Sequence, residues 1–204
     1  MGFYERQVLP RVIDVVLGKG AEPVRARVAQ GLSGEVLEVG FGSGRNVPHL
    51  PDAVTRFVAV DPATVGRSLA AKRIDARGIP VEFVGLDGQS LPLADESVDH
   101  VLVTWTLCTI PDAGSALREM HRVLRPGGSL RYVEHGRSPH PDTARRQERL
   151  TPWWGKVAGG CRLDRHIPEL VAAAGFLSLD SRTYRDRGPE VFARMYEGVA
   201  LKPA

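Results

Sequence analysis

The sequence predicts an α/β fold in which helices flank a mostly parallel, doubly wound β-sheet. Segments with the pattern of strands alternate with segments of helical pattern along the 204 residues, which is typical of this class. Glycine and proline separate the segments, and no linker, repeat or low-complexity tract divides the chain. Residues 185–190 join the last two predicted strands. Because this connection is too short for a parallel crossover, the final strand should run antiparallel.

The individual elements follow from hydrophobic periodicity and from their stop signals. Helices are predicted where apolar residues recur at helical spacing, several of them ended by glycine: residues 3–17, 22–30, 62–77, 112–124 and 167–174. Strands are predicted where short apolar runs lie between turn residues: residues 35–39, 57–61, 81–84, 98–104, 129–134, 176–184 and 191–200. Positive charge is densest over residues 137–149, which indicates a solvated helix face or, alternatively, a patch for an anionic partner.

Length and composition fit one domain over residues 1–204, with residues 1–30 as an N-terminal helical cap. The chain is 43% hydrophobic and 25% charged, which is ordinary for a globular protein. No apolar run approaches the roughly 20 residues that span a bilayer, and residues 1–20 lack the pattern of a signal peptide. We therefore expect a cytoplasmic protein without stable membrane insertion. No nucleic-acid-binding module is present, so no nucleic-acid partner is expected.

The first strand ends in a glycine-rich loop. Glu38 lies near the end of the strand, and three glycines follow at alternate positions: Gly40, Gly42 and Gly44. Without Cβ atoms the backbone can approach a flat, charged ligand, and the amides point at it from the start of the next helix. The dinucleotide pattern would need glycine where Arg45 stands. A tight turn without any ligand is the alternative.

An acid also ends the second predicted strand. Asp61 lies 21 residues after Gly40, and Pro62 follows it where a helix can begin. In doubly wound sheets an acid at this place accepts hydrogen bonds from ribose hydroxyls. The unit of strand, glycine loop, helix, strand and acid therefore predicts a nucleoside-binding edge.

These two motifs together resemble the class I methyltransferases that use S-adenosylmethionine (SAM). The resemblance implies a Rossmann-like, seven-stranded sheet with an antiparallel last strand, and SAM as the cofactor, converted to S-adenosylhomocysteine. It implies that Glu38 and the three glycines bind the methionine half of SAM, and that Asp61 and Pro62 bind the ribose.

Two further segments match the cofactor-binding pattern of this family. Asp87, Gly88 and Gln89 follow the third strand, where the family carries an acid that binds adenine. A turn in which Asp87 caps its own backbone is the alternative. Thr104 ends the fourth strand, at the sheet edge where ligands bind. It could contact the amino-acid part of SAM or, equally, bond to backbone.

The fifth strand ends in Glu134 and His135, which are the candidate catalytic residues. A histidine ordinarily titrates near pH 6.5, so His135 is the best candidate general base. Glu134 could orient the imidazole or bind the ammonium group of SAM. The alternative is that His135 only packs and forms a hydrogen bond there.

A narrower resemblance rests on residues 105–175. The order of Leu107-Cys108, Glu134-His135 and Gly160-Cys161-x-Leu163-x-Arg165 is similar to the methyltransferase-like alkyl-thiol S-methyltransferases. This resemblance implies a small, fairly apolar methyl acceptor, with a thiol as one candidate. The alternatives are a quinone-precursor ring methylated at carbon or oxygen, and a SAM- or nucleotide-binding module without turnover.

Two further expectations concern metals and assembly. Cys108 and Cys161 are far apart and lack metal-ligand spacing, so we expect isolated thiols and no metal site. The chain is expected to act as a monomer or homodimer.

Overall fold

The fold is described from a computed structural model, for residues 11, 14, 18–62 and 64–204. The strands of this part of the chain are β1 (Gly34–Val39), β2 (Val54–Val60), β3 (Val81–Gly85), β4 (Val98–Thr104), β5 (Leu124–His135), β6 (Leu177–Arg185) and β7 (Arg194–Leu201). The α-helices are α1 (Glu22–Ala29), α2 (Thr64–Arg77), α3 (Ala113–Val123), α4 (Pro141–Val157), α5 (Ile167–Ala173) and α6 (Glu190–Ala193). The helix predicted over residues 3–17 lies outside the described residues, apart from Arg11 and Asp14.

One seven-stranded sheet organises the described part of the chain, in the order β3-β2-β1-β4-β5-β7-β6. Strands β1 to β5 pair in parallel, whereas β7 lies between β5 and β6 and is antiparallel to both. The α/β class, the seven-stranded sheet and the antiparallel last strand are therefore confirmed. Residues 141–149 of the basic stretch form the first part of α4.

Helices pack on both faces of the sheet, so the central strands are buried on each side. On β4, Val101 and Val103 belong to the hydrophobic cluster on the α3 side, and Leu102 belongs to the cluster on the α1 side. Because both faces are covered, the centre of β4 is an uninterrupted apolar run over residues 101–103. No helix within the described residues is long and apolar enough to cross a membrane.

Several strand boundaries differ from the sequence prediction, and β2 begins at residue 54 instead of 57. Strand β5 begins at Leu124 instead of Ser129, because Leu124 pairs with Val98 before the register shifts at a bulge. Gly127 lies in this bulge with a positive φ of 77° and donates its amide to the chain after β7. At the other end of the chain, the predicted strand over residues 191–200 begins with the short helix α6, which follows Pro189 and precedes β7.

The core predicts a large loss of stability when Leu117 on α3 is truncated. Leu117 is fully buried, so Leu117→Ala should lower the free energy of unfolding by about 2–5 kcal/mol through lost burial and a cavity. Leu177→Ala is the matched control, because Leu177 on β6 is 62% exposed. Urea unfolding of the two variants checks this. Equal losses would contradict the assignment of α3 to the core.

Candidate functional site

The carboxyl ends of the parallel strands form one edge of the sheet, which is where doubly wound sheets have their ligand crevice. Val39 of β1 lies beside Val60 of β2 and Val103 of β4, and Thr104 lies beside Val133 of β5. These pairings bring the ends of the four strands to one level. The predicted residues that follow or end them therefore gather at this edge, where parallel sheets bind ligands: Glu38, Asp61, Thr104, Glu134 and His135.

The three loop glycines differ in what a side chain would meet. A Cβ on Gly40 would overlap the side chain of Thr106, and one on Gly44 would come within 2.8 Å of Ala70. A Cβ on Gly42 would meet no atom of the described residues within 4 Å. Packing therefore requires glycine at positions 40 and 44, whereas no described atom stands in the way of a side chain at position 42.

Asp61 connects the end of β2 to the glycine loop. Its side chain is buried, and Oδ2 accepts a hydrogen bond from the backbone N–H of Gly42 over 2.7 Å. The acid therefore fixes the loop against the neighbouring strand. Pro62 follows it and is exposed. The binding of ribose by these two residues stays a prediction.

Glu38 is a buried carboxylate with one unsatisfied oxygen. Oε1 accepts a hydrogen bond from Nδ2 of Asn46 over 2.6 Å, but buried Oε2 has no hydrogen-bond partner within the described chain. Burial raises the pKa of Glu38 to about 8, although Asn46 and the charge of Arg25 oppose this shift. Such a group fits a cationic ligand, because a partner would compensate its desolvation.

A polar network that the sequence prediction missed surrounds Glu38. Arg25 of α1 donates to Oδ1 of Asn46 over 2.9 Å, and Asn46 donates to Oγ1 of Thr104 over 3.0 Å. The Arg25 guanidinium also lies over the ring of Trp105, 4.7 Å from its centre. Burial lowers the pKa of Arg25 to about 10. The network therefore joins α1, the glycine loop and the end of β4.

The residues of this network differ in how easily they could be detected from the sequence. Asn46 follows the glycine loop closely, and a polar residue there was a detectable candidate. Arg25 has no such signal, because one more arginine on a short polar helix looks like a surface residue. Trp105 has a positive φ of 51°, which is uncommon for a bulky residue and concentrates at functional sites. Only the structure reveals that backbone conformation.

Asp87, Gly88 and Gln89 form a tight turn after β3. Oδ1 of Asp87 accepts the backbone N–H of Gln89 over 2.8 Å and its side-chain amide over 3.0 Å. Oε1 of Gln89 in turn accepts the backbone N–H of Asp112. These are the contacts expected of a self-capped turn. Adenine binding by this turn stays a prediction.

Glu134 holds the loop that follows β4. Its side chain is fully buried, with Oε1 accepting the backbone N–H of Thr106 over 2.8 Å and Oε2 that of Cys108 over 3.0 Å. Burial raises its pKa to about 7, against the effect of these hydrogen bonds. The observed contacts give Glu134 a positioning role, and its predicted part in catalysis stays a prediction.

His135 and the two cysteines form a cluster at the same edge. Nδ1 of His135 lies 4.0 Å from Sγ of Cys161, and one ligand-type atom from each of His135, Cys108 and Cys161 lies within 4.8 Å of the others. The expectation of isolated thiols is therefore wrong, because the fold joins segments distant in sequence. The contact between the thiols lowers the pKa of Cys161 and raises that of Cys108.

The pKa shifts of the two buried acids predict a stability that falls as the pH rises. The folded chain retains protons on Glu38 and Glu134 up to about pH 8 and 7, whereas free glutamates lose theirs near pH 4.5. The free energy of unfolding without ligand should therefore decrease between these pH values. Glu38→Gln should reduce this decrease, measured by urea unfolding at about pH 5.5 and 8.

Glu82→Gln is the control for this pH dependence, because Glu82 is an exposed acid on β3. It should retain the full decrease. A Glu38→Gln variant with the same pH dependence as the unmodified chain would contradict the burial of a proton at Glu38.

Comparison with known proteins agrees with this geometry. Residues 37–132 match the family described as methyltransferase domain. The thiol S-methyltransferase TMT1B of Rattus norvegicus is 33% identical over 72% of this chain and 62% of its own length. The demethylmenaquinone methyltransferase of Thermus thermophilus is 29% identical over 68% of this chain and 66% of its own length. The chain thus spans about three fifths of the length of the thiol S-methyltransferases that it matches.

Solved structures share the fold at lower identity. The N-methyltransferase NodS of Bradyrhizobium japonicum, solved with S-adenosylhomocysteine, has a TM-score of 0.73 and 17% identity over 98% of this chain and 99% of its own. This likeness shows the Rossmann-like fold. The sequence matches and the fold together are those of the class I methyltransferases that use SAM.

Proposed function

We propose that the protein transfers a methyl group from SAM to a small, fairly apolar acceptor, with a thiol as the first candidate. The observation that carries this proposal is the buried carboxyl group of Glu38, whose Oε2 has no hydrogen-bond partner among the described residues. Glu38 precedes the glycine loop, where a Cβ on Gly42 would meet no described atom within 4 Å. A cofactor that bears an ammonium and a sulfonium would favour the ionised form of this group over the protonated one.

Different residues at this edge would hold different parts of SAM. Glu38 with the three glycines would hold the methionine half, Asp61 and Pro62 the ribose, and residues 87–89 the adenine. Thr104 and the network around Arg25 would close the methionine end. When bound, SAM supplies an activated methyl group on a good leaving group. The protein must then align the acceptor and exclude water, which is mainly positioning.

His135 is the proposed group that accepts a proton from the acceptor. It ends β5, beside the loop that Glu134 holds. An apolar cluster lies next to it, formed by Cys108, Cys161 and Leu163 with Trp154 and Phe192 against them. These side chains suit an acceptor with an apolar body.

The relatives and the apolar cluster together indicate the class of the methyl acceptor. Similarity to a thiol S-methyltransferase and the apolar cluster favour a thiol. Similarity to the Thermus demethylmenaquinone methyltransferase keeps a quinone-precursor ring as the second candidate. Identification of the methylated product separates sulfur, carbon and oxygen methylation. A binding module without turnover would bind SAM and release no S-adenosylhomocysteine with any acceptor.

We also propose that residues 1–30 form a helical cap on one domain that covers residues 1–204, with no stable membrane insertion. Arg25 of α1 reaches the network at the crevice, and Asp14 accepts a hydrogen bond from Arg45 over 2.8 Å. The described part of this segment therefore contacts the glycine loop directly. A cytoplasmic location, the lack of a nucleic-acid partner and assembly as a monomer or homodimer stay predictions.

The first test of the proposed function is titration calorimetry with SAM and with NAD. SAM should bind in the micromolar range, and NAD should produce no binding signal. S-adenosylhomocysteine release is then measured with alkanethiols, phenols and quinols. Absence of SAM binding would overturn the proposal at its first step.

Asp61→Ala should weaken SAM binding at least about tenfold, because the variant loses both the predicted ribose contact and the bond to Gly42. Asp52→Ala is the matched control, since Asp52 is 99% exposed and pairs only with Arg77 among the described ion pairs. Calorimetry on both variants measures the effect. Unchanged affinity in Asp61→Ala would place the ribose elsewhere.

His135→Ala should lower the rate of methyl transfer by about 100-fold for a weakly acidic alkanethiol, and less for an aromatic thiol that ionises readily. The difference arises because an acidic thiol needs little help to lose its proton. Single-turnover rates with saturating SAM measure both losses, with His166→Ala as the exposed control. Equal losses for the two thiols would contradict proton transfer to His135.

A further inference from the structure

Three residues with metal-binding side chains converge from separate parts of the chain. Cys108 lies in the loop after β4, His135 ends β5, and Cys161 follows α4. Their ligand-type atoms lie within 4.8 Å of one another, and Nδ1 of His135 is 4.0 Å from Sγ of Cys161. Both cysteines are free and buried. The cluster lies outside the residues that would hold SAM.

We propose that Cys108, His135 and Cys161 bind one thiophilic divalent cation of the zinc class. Zinc binds cysteine sulfur at about 2.3 Å and histidine nitrogen at about 2.0–2.1 Å in tetrahedral geometry, so its ligand atoms lie roughly 3.5–3.8 Å apart. The observed separations exceed this by at most about 1 Å, which small side-chain rotations can close. Thiolate and imidazole ligands together select zinc over calcium or magnesium.

The backbone around the cluster is fixed without a metal, so the three ligands are already gathered. Arg162 donates its backbone N–H to the carbonyl of Cys108 over 2.8 Å, next to Cys161. On the other side, Glu134 accepts the backbone N–H of Cys108 and precedes His135. The two cysteines are thus held by their own main-chain contacts. A preformed site requires less ordering when the cation binds.

Three protein ligands leave a fourth tetrahedral position for a ligand from outside, which is the arrangement of catalytic zinc sites. The inference does not rest on methyl transfer, since it follows from the ligand set alone. It has one consequence for the mechanism. A cation on Nδ1 would occupy the nitrogen of His135 that faces the cysteines, so His135 would be a ligand instead of a base through that nitrogen.

The test uses the full chain, reduced with a phosphine and shown by titration to contain two free thiols. Zinc is measured by mass spectrometry after dialysis against buffered zinc, and cobalt is titrated in parallel. One equivalent of zinc should bind, cobalt should give a sulfur-to-cobalt charge-transfer band, and zinc should slow thiol modification at least about tenfold. These readouts need neither SAM nor an acceptor, so they separate this inference from the proposed function.

Cys161→Ser and His135→Asn should each lower the affinity for zinc at least about 100-fold, because even outer contacts of metal ligands contribute 10–100-fold. His166→Asn is the matched control, since it removes an exposed histidine outside the cluster, and it should bind as the unmodified chain does. No zinc on the folded, reduced chain, with thiols equally reactive with and without zinc, would overturn the proposal. Unchanged affinity in both ligand variants would overturn it as well.

Discussion

The crevice depends on how two buried carboxylates at the strand ends are compensated. A carboxylate removed from water is costly unless hydrogen bonds replace its hydration. Glu134 has such bonds on both oxygens, from the backbone amides of Thr106 and Cys108. Glu38 has one, from Asn46, and a buried oxygen without any. Hydrogen bonds therefore satisfy both oxygens of the first acid, whereas one oxygen of the second lacks a partner that the proposed cofactor would contribute.

This difference distinguishes the two sides of the site. At the end of β5, Glu134 and Arg165 hold the loop after β4 from either side, since Arg165 donates to the carbonyls of Leu107 and Pro111. At the end of β1, the network of Arg25, Asn46 and Thr104 leaves one oxygen of Glu38 without a hydrogen-bond partner. The same physical requirement, satisfaction of buried polar groups, is thus met at the loop after β4 and left unmet at Glu38, the group that we propose binds the cofactor.

Much of the fold could be predicted from the sequence, because its signals are local. Alternating apolar segments and glycine stops predicted β4 with the bounds that the structure has, and the short connection before β7 predicted its direction. The misses have nonlocal causes. The extension of β5 back to Leu124 depends on pairing with β4, so it is not visible in periodicity. For the same reason Arg25 was missed, since only packing reveals its burial.

The segment Gly160 to Arg165 illustrates how a motif acquires meaning from the fold. In the sequence, its spacing contributed only to a family resemblance, and Cys161 looked like an isolated thiol. In the structure, alternate residues of this segment make different contacts. Cys161 approaches Cys108 and His135, Leu163 is buried with both cysteines, and Arg165 donates to the carbonyls of the loop after β4. These contacts pack the segment along the loop after β4. Because the same loop carries Cys108, any change that loosens the segment also separates the two thiols from each other.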